Sequence, residues 1–144
     1  MPAINKVQVV NYTPAQMYEI VNRVESYDSF LPWCESTSVH FRNKQEVEAT
    51  IQIRKGLLQH KFTTLNQLTE NQRIDMHYIS GPFRHLKGCW QFDLINTNQC
   101  RVQLQLTYEF SNRLLSLAIE PIFFIINQSL ITSFYQRAKK IYEP

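Results

Sequence analysis

The sequence predicts an α+β domain in which one curved antiparallel sheet wraps a single long C-terminal helix. Three observations carry this. From about residue 34 to residue 110 apolar and polar side chains alternate with period two, as in strands with one covered and one wet face. A capped helix is signalled directly after the first apolar stretch. From Leu114 to Tyr142 the spacing of apolar residues changes to three and four. The 144 residues, 44% hydrophobic and 19% charged, suit one globular domain spanning 1–144, with no linker, repeat or low-complexity segment.

Residues 3–11 read as a first strand, with Val7, Val9 and Val10 supplying β-branched side chains. Thr13, Pro14 and Gln16 then form a helix start, with a capping residue, a proline at the first helical position and a glutamine three residues after the cap. Met17, Ile20, Val21 and Val24 continue at helical spacing. A short second helical turn is expected over Ser26–Leu31, stopped by Pro32. Six strands follow. Val39 and Phe41 share a face in the first of them, and Val47, Ala49, Ile51 and Ile53 in the second, which Gly56 ends. Phe62, Thr64, Asn66 and Leu68 share a face in the next, then Ile74, Met76 and Tyr78, then Leu86, Gly88, Trp90, Phe92 and Leu94. The last strand has the cleanest alternation, with Val102, Leu104, Leu106, Tyr108 and Phe110 on one side. The final helix presents a stripe of Ile119, Ile122, Phe123, Ile126, Leu130, Phe134, Ala138 and Ile141, with Pro121 as a kink or the first turn of its main part.

Composition excludes several classes. Fifteen Lys and Arg against twelve Asp and Glu give a net charge of +3, which permits an anionic partner without demanding one. No basic run exceeds two residues, and no DNA partner is expected. Three cysteines, Cys34, Cys89 and Cys100, without a C-x-x-C, point to reduced thiols rather than disulfides or zinc. No targeting segment is expected, and the apolar stretch Leu114–Ile126 is too short and interrupted to span a bilayer. No nucleophile–base pair, glycine-rich phosphate loop or metal-ligand spacing occurs, so no catalytic residue, metal or cofactor is assigned. Cys34 reads as a buried structural thiol.

A sheet gripping one helix need not close completely. The inward faces carry many large aromatics, and small-molecule pockets are apolar, aromatic and concave with a few polar groups. Thr64 and Asn66 break an otherwise apolar face. A buried amide without a partner costs about 1–3 kcal/mol. Asn66 must therefore have a local partner or face something in a cavity.

Specific residues also resemble a family. Tyr27-Asp28-Ser29-Phe30-Leu31-Pro32-Trp33-Cys34 resembles the Y-x-x-F-L-P-W-C signature of the coenzyme Q-binding, ribosome-association-toxin branch of the START-like (polyketide cyclase/dehydrase) superfamily. Gly81-Pro82-Phe83 with Leu86, Gly88, Trp90 and Phe92 is similar to its G-P-F-x-x-L-x-G-x-W-x-F stretch. Tyr108-Glu109-Phe110 and Phe134, Arg137, Ala138 and Tyr142 also fit. The resemblance implies a helix-grip fold, β-α-α-β6-α, with a hydrophobic cavity. It implies two compatible functions. One is non-catalytic binding of ubiquinone or a related isoprenoid lipid in support of respiration. The other is a toxin's binding to the large ribosomal subunit, which blocks subunit joining. Set beside this resemblance, the expected absence of a targeting segment points to a bacterial cytoplasmic protein, with transient contact at the inner membrane.

On that reading Phe62, Trp90, Phe92, Phe110, Phe123, Ile126, Leu130 and Phe134 line the site of an apolar tail, Asn66 supplies a polar contact, and Phe30, Pro32 and Trp33 form the mouth. Phe124 and Ile125 are left over for a lid or lipid contact. For a ribosomal partner, outward Arg42, Arg54, Lys55, Lys61, Arg73, Arg84, Lys87 and Arg101 would contact phosphates. A cyclase or dehydratase is disfavoured because no acid or base stands out on the inner face.

Overall fold

The computed structural model describes residues 2–143. Strand β1 (Ala3–Val10) leads into helix α1 (Pro14–Asn22) and a 3-10 helix (Val24–Ser29). Six strands follow: β2 (Cys34–Arg42), β3 (Glu46–Lys55), β4 (Leu58–Thr69), β5 (Arg73–Ser80), β6 (Phe83–Asn96) and β7 (Gln99–Phe110). Helix α2 (Arg113–Tyr142) closes the chain. The seven strands form one sheet in the order β1-β7-β6-β5-β4-β3-β2. Every neighbouring pair is antiparallel. This is the α+β, sheet-around-helix architecture that the alternating pattern predicts.

Local chemistry explains the element starts. The α1 cap is reciprocal: the Gln16 amide N–H donates to Thr13 Oγ1 at 3.2 Å, and the Thr13 N–H donates to Gln16 Oε1 at 2.9 Å. At α2 the Leu115 N–H donates to Asn112 Oδ1 at 2.9 Å, which sets the start at Arg113. Pro121 lies inside a continuous helix rather than at a break. Gly56 takes φ +61° in the tight β3–β4 turn, a conformation that side chains with Cβ adopt at a cost.

Four expectations need correction. The second helical turn lies over Val24–Ser29, earlier than Ser26–Leu31, because the Leu31 N–H is drawn back to the Tyr27 carbonyl as the chain leaves the helix. Phe41 does not share the covered face with Val39. A register shift between them puts two β2 residues where β3 has one, and Phe41 is exposed. On α2, Ile141 is exposed, while Asn127 and Ile131 are buried. Finally, α2 as a whole is long and apolar enough to cross a membrane by length and composition, and it packs Ile119, Phe123, Ile126, Ile131, Phe134 and Ala138 inward.

The interior divides into two apolar clusters. One joins α1, the 3-10 helix and the C-terminal half of α2 to Val47, Ile74, Trp90, Val102 and Leu104. The other joins Phe83, Leu86, Leu106, Tyr108 and Phe110 to Ile119, Phe123 and Ile126. Trp33, Ile51 and Met76 pack against both. The closest backbone approaches of α2 are to α1, β1 and β7. Over the other half of the sheet the layers are held apart by side chains, and they do not fill the space.

Candidate functional site

At the junction of the two clusters lies a cavity of about 90 Å³. Period-two alternation fixes its sheet wall. In the register, Ala49 is opposite Thr64, Ile51 opposite Phe62, Asn66 opposite Met76 and Ile74 opposite Trp90, and all eight side chains face the cavity. Helix α2 supplies Phe123, Ile126, Asn127, Leu130 and Phe134, and Val21, Val24, Tyr27 and Trp33 complete the lining. Gly88 shapes this wall. A Cβ there would lie 2.5 Å from Met76 Cε and 2.7 Å from Leu106 Cδ1, so its absence lets both side chains lie across the strand.

Of the residues expected at the site, Trp33, Phe62, Asn66, Trp90, Phe123, Ile126, Leu130 and Phe134 line the cavity. Four do not. Phe92 is turned toward Tyr18 and stacks on Trp90, so it is core. Phe110 stacks on Phe83 and meets Phe123 edge-on. Phe30 lies on the far side of Phe134, under the Arg137 guanidinium at 4.9 Å from its ring centre. Pro32 is exposed beside the mouth residue Trp33. Inward parity alone could not separate lining from packing.

The polar groups at the wall are few. Thr64 Oγ1 donates to Asn66 Oδ1 at 3.0 Å. Asn127, which sequence reasoning missed, donates from Nδ2 to the Phe123 carbonyl at 2.8 Å. It stands four residues from both Phe123 and Ile131, on one helix row, and that spacing was the available signal. Tyr27 is the sole titratable residue among the described lining residues. Its hydroxyl donates to the Val21 carbonyl, and burial pushes its pKa up. The three thiols are free, and burial pushes each up to about 11. A thiol so raised is a poor nucleophile near neutral pH. Among the described residues no group of three His, Cys, Asp or Glu side chains is arranged to hold a metal.

On the outer surface, five of the eight cations expected to meet phosphate already hold a carboxylate. Arg42 pairs with Glu25 at 2.7 Å, Arg54 with Glu35 at 3.5 Å and Arg73 with Asp75 at 3.0 Å. Arg84 pairs with Glu109 at 3.3 Å and Arg101 with Asp93 at 3.4 Å. Leu114, Leu117, Phe124 and Ile125 of α2 and Leu57 at the β3–β4 turn are exposed.

Comparison with known proteins places these features. Residues 10–135 match the family described as polyketide cyclase/dehydrase and lipid transport. The chain is 37% identical over 142 residues to the ribosome association toxin RatA of Escherichia coli, covering 99% of this chain and 90% of that protein. It is 26% identical to the mitochondrial coenzyme Q-binding protein COQ10 of Dictyostelium discoideum, covering 92% of this chain and 67% of that one. A START superfamily protein from Mycobacterium smegmatis superposes with a TM-score of 0.80 at 14% identity, over 96% of this chain and 98% of that one. The Zhui aromatase/cyclase of Streptomyces does so at 0.81 and 11%, over 96% and 94%. At such identities the two structures share the fold.

Proposed function

The chain belongs to the polyketide cyclase/dehydrase and lipid transport family, and on that premise we propose that it binds an isoprenoid quinone or similar lipid in its interior cavity as a non-catalytic carrier supporting respiration. The carrying observation is the cavity, walled by aromatic and aliphatic side chains where two apolar clusters fail to merge. Burying a methylene stabilises a complex by about 0.8 kcal/mol, so an apolar tail is a strong source of affinity. The COQ10 relative, named as coenzyme Q-binding, supports the quinone assignment. The non-catalytic part rests on the wall itself. Its titratable group is Tyr27, whose proton is held by the Val21 carbonyl and by burial.

Ligand pockets typically measure about 300–1,000 Å³. A cavity of about 90 Å³ must therefore widen to admit a quinone. The face of α2 over β3, β4 and β5 is the place where the layers can part, because the close backbone contacts of α2 are made elsewhere. The exposed Leu114, Leu117, Phe124 and Ile125 support transient contact with a membrane surface, where such a lipid is exchanged. This reading places the protein in the bacterial cytoplasm, peripheral to the inner membrane. The test is mass spectrometry of an organic extract of natively purified protein. A near-stoichiometric isoprenoid quinone is expected, and no lipid above the level of a control protein would defeat the proposal.

The RatA relative's name favours a second reading, association with the large ribosomal subunit. With five arginines paired, the cations of the expected set without a carboxylate partner among the described residues are Lys55, Lys61 and Lys87. Counterion release scales with the number of phosphates neutralised. Co-sedimentation with large subunits at graded salt should give a slope of log affinity against log salt of about −3 or shallower. A slope near −7 would show that the paired arginines exchange partners to meet RNA.

A further inference from the structure

Two polar atoms of cavity-lining residues have no hydrogen-bond partner among the described residues. Thr64 occupies Asn66 Oδ1, which leaves the Asn66 Nδ2 donor free. The Phe123 carbonyl occupies Asn127 Nδ2, which leaves the Asn127 Oδ1 acceptor free. Both residues are at least nine-tenths buried, Asn66 at 9% exposure and Asn127 at 5%. Among the described residues no sealed side-chain nitrogen or oxygen lacks a hydrogen bond. These two atoms are therefore not sealed, and the accessible space beside both residues is the cavity. The half-exposed members of the wall are apolar: Trp33, Ile51, Phe62, Met76 and Leu130. The cavity thus runs from an apolar rim to a buried donor and acceptor. No Asp, Glu, Lys, Arg or His is among its described lining residues.

We infer that Asn66 and Asn127 form a head-group subsite that takes an uncharged, oxygen-bearing ring inward, with the Asn66 amide donating to a ring oxygen and the apolar chain lying toward the rim. This rests on the lipid-binding proposal above and adds orientation and selectivity to it. A carbonyl accepts from Asn66 Nδ2, and a hydroxyl can also donate to Asn127 Oδ1. A carboxylate or phosphate head would lose its hydration with no cation to replace it. Fatty acids and phospholipids are therefore excluded as inward-facing heads.

The experiment compares wild-type protein with Asn66→Leu and Asn127→Leu. Each change keeps the number and branching of the side-chain heavy atoms and removes the polar ones. The probes are decylubiquinone, its hydroquinone decylubiquinol, decylbenzene (a similar tail on a ring without oxygens) and palmitate. Thermal melting checks folding, and Asn127→Leu, a favourable helix substitution, carries the test with the hydroquinone if Asn66→Leu does not fold. Wild type should bind decylubiquinone and reject palmitate. Asn66→Leu should lose about tenfold in affinity for decylubiquinone, Asn127→Leu should lose about tenfold for the hydroquinone, whose hydroxyl donates to Asn127 Oδ1, and both should bind decylbenzene as well as wild type does. A folded Asn66→Leu that binds decylubiquinone like wild type, or a folded Asn127→Leu that binds the hydroquinone like wild type, overturns the subsite. Palmitate bound as tightly as the quinone overturns the selectivity for an uncharged head. Failure of wild type to bind either decyl probe overturns the lipid-binding proposal itself.

Discussion

Filling the cavity should stabilise the protein while removing its binding capacity, and Ala49→Leu is the substitution that separates these effects. Ala49 is 3% exposed, and its methyl faces the void beside Thr64. Residual void costs about 24 cal/mol per Å³. A cavity of about 90 Å³ therefore represents about 2 kcal/mol of stability forgone. Three additional buried carbons at about 0.8 kcal/mol each give a similar figure. The stabilised variant should melt roughly 5 °C higher. Its affinity for a short-chain ubiquinone should fall by an order of magnitude or more. Trp33 and Trp90, the two tryptophans of the chain, both line the cavity, so quenching of intrinsic fluorescence reports occupancy directly. Lower stability with unchanged quinone binding would refute the reasoning, because the space would then be both well packed and irrelevant to the ligand. A gain in stability with lost binding is the trade expected where a void is kept for function.

Other perturbations follow from the same structure. Phe134 is 1% exposed, with ring centres of Tyr27, Trp90 and Phe30 at 5.2, 5.4 and 5.8 Å; Phe134→Ala should cost about 3–5 kcal/mol, read as a lower midpoint in urea, and a loss under 1 kcal/mol would show that the ring is not central to packing. Gly88→Ala meets only the flexible ends of Met76 and Leu106 at closest range, so the protein should fold with those side chains pushed into the cavity and bind lipid more weakly; retained binding would argue against Gly88 shaping the wall. The cysteines bind their protons more tightly folded than unfolded, since burial raises Cys34, Cys89 and Cys100 from 9.0 to about 11. Between about pH 9 and 11 the unfolded chain therefore holds fewer protons, and stability is full below 9 and falls as pH rises through that window. Melting curves in reductant at pH 8, 9 and 10.5 check this, and a flat midpoint would contradict the burial of the thiols.

The fold was legible because its signals are directional. In β7, Val102, Leu104, Leu106, Tyr108 and Phe110 are all buried, as their alternation with Arg101, Gln103, Gln105, Thr107 and Glu109 requires. The Thr13–Gln16 pair could be read as a capping box because its two hydrogen bonds are made within four residues. Phe41 was misread because a bulge depends on how β2 pairs with β3, which periodicity in β2 alone does not encode. The pairing of Arg42 with Glu25, or Arg84 with Glu109, was hidden for the same reason, since each joins separate elements.

The candidate site was legible only in part, and the cause is geometrical. Side-chain parity states which way Phe92 and Phe62 point, inward in both cases. It does not state how far the facing layer stands. Phe92 meets Tyr18 of α1 and is packed; Phe62 lies under the part of α2 that is not close to the sheet, and it borders the void. The separation of the layers depends on Gly88 letting Met76 and Leu106 lie flat and on α2 settling against β1 and β7. Each of these is a tertiary fact. Asn66 was still informative, because an amide on an apolar face poses a question of hydrogen bonding that packing cannot answer. Its half-satisfied state, with Thr64 on one side and open cavity on the other, is what the proposed head-group subsite rests on.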